Sequence, residues 1–208
     1  VTDMARMFDG TGYTAMTSLD LGDKFDTSNV TNMESMFEGT GQEAMTSLDL
    51  GDKFDTSNVT NMERMFYETG YTAMTSLELG DKFDTSNVTD MTSMFNGTGY
   101  TAMTSLDLGD KFYTTSATNM NYMFVETGYT AMTTIDLGPA FTKIASTNTN
   151  MFIDTGKDGE ITIHASEQIY LDKNNFKADT NATESLINYT RGTINPKYRT
   201  EWIKESST

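Results

Sequence analysis

The chain has no cysteine, only two prolines, a single tryptophan and a single histidine, His164, in 208 residues. Each shortage removes a class of protein. Without cysteine there is no disulfide framework and no thiolate metal site, and one histidine supplies neither a zinc set nor a catalytic triad. His164 therefore reads as a surface or capping residue. No run of about 18 apolar residues occurs, so no segment reads as a membrane-crossing helix. Positive charge is also scarce: 14 Lys and Arg against 30 Asp and Glu give a formal net charge of −16. Such a surface repels phosphate backbones, so nucleic acid is not an expected partner. Basic partners or cations are favoured instead, through a field that weakens as salt rises.

What the chain has in quantity is itself. Shifted by 29 residues, Val30-Thr31-Asn32-Met33 falls on Val59-Thr60-Asn61-Met62 and then on Val88-Thr89-Asp90-Met91. Units span 1–29, 30–58, 59–87 and 88–116, a diverged fifth spans 117–145, and a decayed sixth opens near Ser146 and keeps Met151-Phe152. A period of this length predicts a solenoid in which each unit buries its apolar side against its neighbours. The opening Val1-Thr2-Asp3-Met4 already lies inside a repeat, so the chain is expected to continue a longer protein.

Within a unit, Met16-Thr17-Ser18-Leu19-Asp20-Leu21 alternates as a short strand, with Leu19 and Leu21 inward and Ser18 and Asp20 outward. Val30, Met33, Met36 and Phe37 recur at three- and four-residue spacing and predict a short helix capped by Ser28 or Asn29 and ended at Gly39-Thr40-Gly41. The expected fold is therefore α/β: short parallel strands on one face, short helices on the other, over residues 1–156. Residues 157–208 lose the period and shift from a net charge of −15 in 1–156 to −1. They read as a C-terminal capping segment for the last exposed apolar face.

The phrases Met45 to Leu50, Phe54 to Met62 and Met65-Phe66 resemble the repeats of the BspA-like leucine-rich-repeat surface proteins of bacteria, over about residues 1–145. The likeness implies a cell-surface or secreted protein, with adhesion to host or matrix components as the type of function. It implies no catalytic residue and no cofactor. The chain departs from the commoner pattern in its Gly10-Thr11-Gly12-Tyr13-Thr14-Ala15 insertion and in Gly22-Asp23-Lys24-Phe25 in place of a shorter turn, so its curvature is expected to differ.

Stacking would align several rows of side chains. Asp20, Asp49, Glu78, Asp107 and Asp136 form an acidic row at one strand spacing, either simply solvated or matched by a cation or a basic partner. Tyr13, Tyr71, Tyr100 and Tyr129, interrupted by Gln42, form an aromatic row that either packs over neighbouring loops or anchors a protein or sugar. The Ser18 and Thr17 rows are regular enough to order water, but the acidic row interrupts any ice-like face. The sixteen methionines all occupy equivalent positions. Their spacing makes them core filler rather than a copper or peptide site. Asp23 with Asp26 has a calcium-loop flavour, yet too few oxygens converge, and turn chemistry explains both. Asn-x-Thr triplets such as Asn29 and Asn58 read as caps before they read as glycosylation acceptors.

These readings converge on a non-enzymatic binding module recognising an extracellular protein or glycan. The competing expectation is a spacer that projects another domain. Near-identical units favour the latter, since they differ mainly at Ala5-Arg6, Glu34-Ser35, Glu63-Arg64 and Thr92-Ser93, expected on the exposed helix side, and at Gln42-Glu43.

Overall fold

The computed structural model describes residues 1–156, 161–166, 168, 169, 187 and 188. Each unit forms one rung of a solenoid-like stack. Strands β1 (Ser18–Asp20) and β2 (Ser47–Asp49) pair in one parallel sheet. Strands β3 (Ser105–Asp107), β4 (Thr134–Asp136), β5 (Ile161–His164) and β6 (Ile187–Asn188) form a second. Register follows the repeat, with Leu19 opposite Leu48 and Leu106 opposite Ile135. A slip of one residue would turn every aspartate inward, so alternation alone enforces this pairing. Leu48, Leu106 and Ile135 are buried while Ser47, Asp49, Ser105 and Asp107 are exposed.

The expected helices on the opposite face do not form; the segment from Met33 to Gly41 is a run of tight turns. An α-helix would bond the Phe37 N–H to the Met33 carbonyl. Here Phe37 N–H donates to Met65 O of the next unit at 2.9 Å, and Met33, Ser35 and Gly39 donate to Asn61, Glu63 and Tyr67 in the same way. The alternate amides close turns within the unit, from Met36 to Met33, Glu38 to Ser35 and Thr40 to Phe37. Left-handed backbone at Ser35 (φ 54°), Gly39 (φ 63°) and Gly41 (φ 58°) makes this possible. The turns curl Val30, Met33, Met36 and Phe37 inward, so a three- and four-residue apolar spacing arises without a helix. The proposed caps change role with it. Ser28 N–H bonds the Asp26 carboxylate at 2.9 Å, and Asn58 Nδ2 donates to Ser28 O of the preceding unit at 2.8 Å. Nor are all the variable pairs exposed: Ser35 and Ser93 are buried.

The core is built from rows that run the length of the stack. Phe37, Phe66, Phe95 and Phe124 stack nearly parallel at 5.5–5.6 Å between ring centroids, and Phe83, Phe112 and Phe141 make a second column at 6.2–6.3 Å. Each such pair contributes about 0.5–1.5 kcal/mol beyond the area it buries. Methionines at positions such as Met33, Met36 and Met45 are fully buried in the same core cluster. A row of buried threonines accompanies them. Thr69 and Thr98 are 0 % exposed and donate from Oγ1 to the carbonyls of Phe37 and Phe66 at 2.7 and 2.6 Å.

The strand face is interrupted at the third unit. Residues 76–78 are not a strand, although their sequence, Ser76-Leu77-Glu78, differs from the strands around them at one position. Leu21, Leu108 and Leu137 N–H bond the carbonyls of Asp49, Asp136 and His164, whereas Leu50 and Leu79 N–H make no such bond. The spacing drops from 29 to 28 residues at the end of the fifth unit, yet the stack continues: Asn119 bridges Thr147, and Asp136 pairs with His164. His164 thus occupies the place of the next acidic residue. Most of the expected capping segment 157–208 lies outside the described residues; within it β5 adds a strand to the sheet, with Ile161 and Ile163 buried.

Candidate functional site

The acidic row is real as geometry, and its carboxylates are held. Asp20 Oδ1 accepts Gly22 N–H at 2.7 Å, and the same bond recurs from Asp49 to Gly51 (2.9 Å), Asp107 to Gly109 (2.8 Å) and Asp136 to Gly138 (2.9 Å). An aspartate can reach the amide two residues on, the local turn that makes Asp common where a strand must stop. Glu78 makes no such bond to Gly80. Asp20, Asp49, Glu78 and Asp107 are exposed, and Asp136 is half-buried. Two cavities, of about 500 and 410 Å³, open beside Glu78, the first between it and Asp49 and the second between it and Asp107.

The tyrosine row is divided. Tyr71, Tyr100 and Tyr129 stack face to face at 4.5 and 4.6 Å, within 11° of parallel. Their faces are used on one another, and all three are half-buried. Burial, with Tyr100 and the carboxylates of Glu126 and Glu68 nearby, pushes the Tyr71 hydroxyl up to about 12. Tyr13 stands apart and is 50 % exposed. At the break in the row Gln42 takes another role, donating from Nε2 to Glu68 Oε2 at 2.7 Å.

Of the aspartate pair considered for calcium, Asp26 and its equivalents serve turns. Asp26, Asp55 and Asp84 accept the N–H of Ser28, Ser57 and Ser86 at 2.8–2.9 Å. Hydrogen bonds from Ser28 and Ser57 hold the Asp26 and Asp55 carboxyls below their ordinary value, aided by neighbouring lysines. Among the described residues no group of three His, Cys, Asp or Glu is arranged to hold a metal ion.

Sequence reasoning missed one electrostatic contact. Arg64 donates from Nε to Glu38 Oε2 at 3.0 Å and from Nη2 to Oε1, and its guanidinium lies 4.0 Å from the centre of the Tyr67 ring. Burial works most strongly to raise the Glu38 carboxyl, but the hydrogen bonding and charge of Arg64, joined by Ser35 and Arg6, together carry it down. The pair is 26 residues apart. Only knowing that Glu38 and Arg64 lie on adjacent rungs of the turn face reveals it.

These rungs match a known sequence family. The family described as DUF285, Mycoplasma protein of unknown function, matches over residues 1–97 and 42–157. The chain belongs to the DUF285 family. The two matches overlap, as they must when one repeat aligns in more than one place, and together they cover the stack from its first rung to the end of the sixth turn segment. No curated protein and no solved structure matches the chain. In this DUF285 chain the rows of side chains repeat from rung to rung along the stack.

Proposed function

We propose that this DUF285 chain is a binding module of a BspA-like bacterial surface protein, at the cell surface or secreted, whose strand face recognises an extracellular protein or glycan through cationic groups. The observation that carries the reading is the row of carboxylates on the outer side of adjacent rungs, exposed at Asp20, Asp49, Glu78 and Asp107 and half-buried at Asp136, four of the five fixed by a backbone amide. A carboxylate oriented before its partner arrives loses less freedom on binding. Rungs about 4.8 Å apart offer a long partner several weak contacts at once, and their effects multiply. The net charge of −16 steers basic partners toward this face and weakens with salt. Chemistry on a substrate is not part of this reading, and no cofactor is needed.

The test is binding to arrays of matrix proteins, mucins and glycans, by the chain and by a variant carrying Asp49→Asn, Glu78→Gln and Asp107→Asn. Asparagine keeps the oxygen that closes the turn, so this variant removes charge and leaves the stack intact. Saturable, salt-sensitive binding lost in the variant supports the reading. No binding by the folded chain rejects it and favours a spacer that projects another domain. One observation already speaks for that second reading: Tyr71, Tyr100 and Tyr129 use their faces on each other.

A further inference from the structure

We propose that Glu78 turns the third unit into a one-sided hinge, at which the strand face of the stack opens while the turn face stays laced. The interruption of the sheet is confined to this rung. In the sheets on either side, stacking is close: a methyl group on Gly51 would meet Gly22 O at 2.5 Å, and one on Gly138 would run into the carbonyl of Gly109. Around the third rung the contact is lost on both sides, since nothing lies within 4 Å of the same position on Gly80 or Gly109. The two cavities occupy the space so left.

The opposite face shows no such gap. Ser35 and Phe37 of the second unit donate to Glu63 and Met65 of the third at 2.8 and 2.9 Å, and Arg64 and Phe66 donate onward to Thr92 and Met94 at 2.9 Å. Beneath them Phe66 stays stacked on Phe37 and Phe95. The turn edge is bonded on both sides of the third rung, whereas on the strand edge Leu50 and Leu79 N–H make no bond to the next rung and the Thr104 N–H to Thr75 O bond, at 3.2 Å, remains beside the gap, which is the geometry of a hinge.

Side-chain length is the cause. Every neighbouring strand ends on an aspartate whose carboxylate bonds the glycine amide two residues on, which fixes the exit of the strand. Glutamate, one methylene longer, does not close that ring, and the exit at Gly80 is not pinned. Charge repulsion is not the cause, because Asp20 with Asp49 and Asp107 with Asp136 face each other in register without splitting their sheets. The hinge gives the acidic face an adjustable curvature in its middle, so that it can follow a partner that is not straight. It stands whether or not the binding reading holds.

Amide hydrogen exchange on the intact chain tests it, because exchange reports local opening directly. In the unaltered protein the Leu50 and Leu79 amides should exchange about two- to tenfold faster than Leu21 and Leu108, the difference one lost backbone bond makes. Glu78→Asp and Glu78→Asn should slow them toward their neighbours, and Glu78→Gln should not. Equal protection of all four leucines in the unaltered protein overturns the hinge outright. Equal rescue by glutamine and aspartate overturns the length argument and assigns the gap to charge.

Discussion

The buried threonine row offers the sharpest test of how the stack is held. Thr98 is fully buried, and its hydroxyl donates to the Phe66 carbonyl across the rung interface at 2.6 Å. Valine has nearly the same shape, so Thr98→Val removes the hydroxyl with little change in packing. The Phe66 carbonyl keeps a second donor, the Thr69 amide at 3.1 Å, so the loss falls in the lower part of the range for a buried polar group, about 1–2 kcal/mol. For a chain of this length that lowers Tm by roughly 2–8 °C. Thr89 supplies the comparison: its hydroxyl also bonds a neighbouring carbonyl, Thr60 O at 3.1 Å, but in the open. Thr89→Val should change stability by less than about 0.5 kcal/mol. Urea unfolding followed by circular dichroism, with equal slopes for all three proteins, measures both values. If valine at 98 costs no more than valine at 89, the buried row does not fasten the rungs and the reasoning fails.

Three further outcomes follow from the backbone and the tyrosine stack. Glu126 holds φ 56° where other units have Gly39 or Gly97, so Glu126→Gly should raise stability by about 0.5–1 kcal/mol, read as a higher urea midpoint; an unchanged or lower midpoint counts against strain there. Gly51→Ala places a methyl 2.5 Å from Gly22 O, while Gly80→Ala meets nothing within 4 Å and carries only its positive φ; calorimetry should show the larger Tm loss at 51, and equal losses would deny the gap. Tyr71, with its hydroxyl raised to about 12, should ionise above the ordinary tyrosine range in an ultraviolet titration, as a late phase that Tyr71→Phe removes. Because the folded state then holds a proton the unfolded state has lost, stability should fall as pH climbs from about 10 toward 12, and Tyr71→Phe should reduce that slope.

Much of the fold was legible because the repeat does the pairing. Once Leu19 and Leu48 are known to be equivalent, a parallel register follows, and so does the row of outward carboxylates. Even His164 falls opposite Asp136. The helices were misread for a specific reason. Spacing of Val30, Met33, Met36 and Phe37 records which side chains turn inward, and both a helix and a chain of left- and right-handed turns produce that record. Ser28, Asn29, Thr31 and Asn32 are all weak helix formers, and the glycines at 39 and 41 are as useful inside a turn as at a helix end. In the candidate site, the aspartates looked free because sequence shows their charge and hides the glycine amide two residues on. The one substitution that mattered, glutamate at 78, looked conservative because charge is kept; its effect lies in one methylene.

The stacking of whole units also sets how far this chain reaches. A rung consumes 29 residues to advance about 4.8 Å, whereas the same 29 residues pulled straight would span roughly 95 Å. Folded, the chain gains breadth and almost no height, so it is poorly suited to holding a partner domain at a distance. Pulled, each unit that peels away releases close to twenty times the length it occupied. A stack attached at one end and gripped at the other would therefore lengthen in large steps while the remaining rungs kept their faces intact.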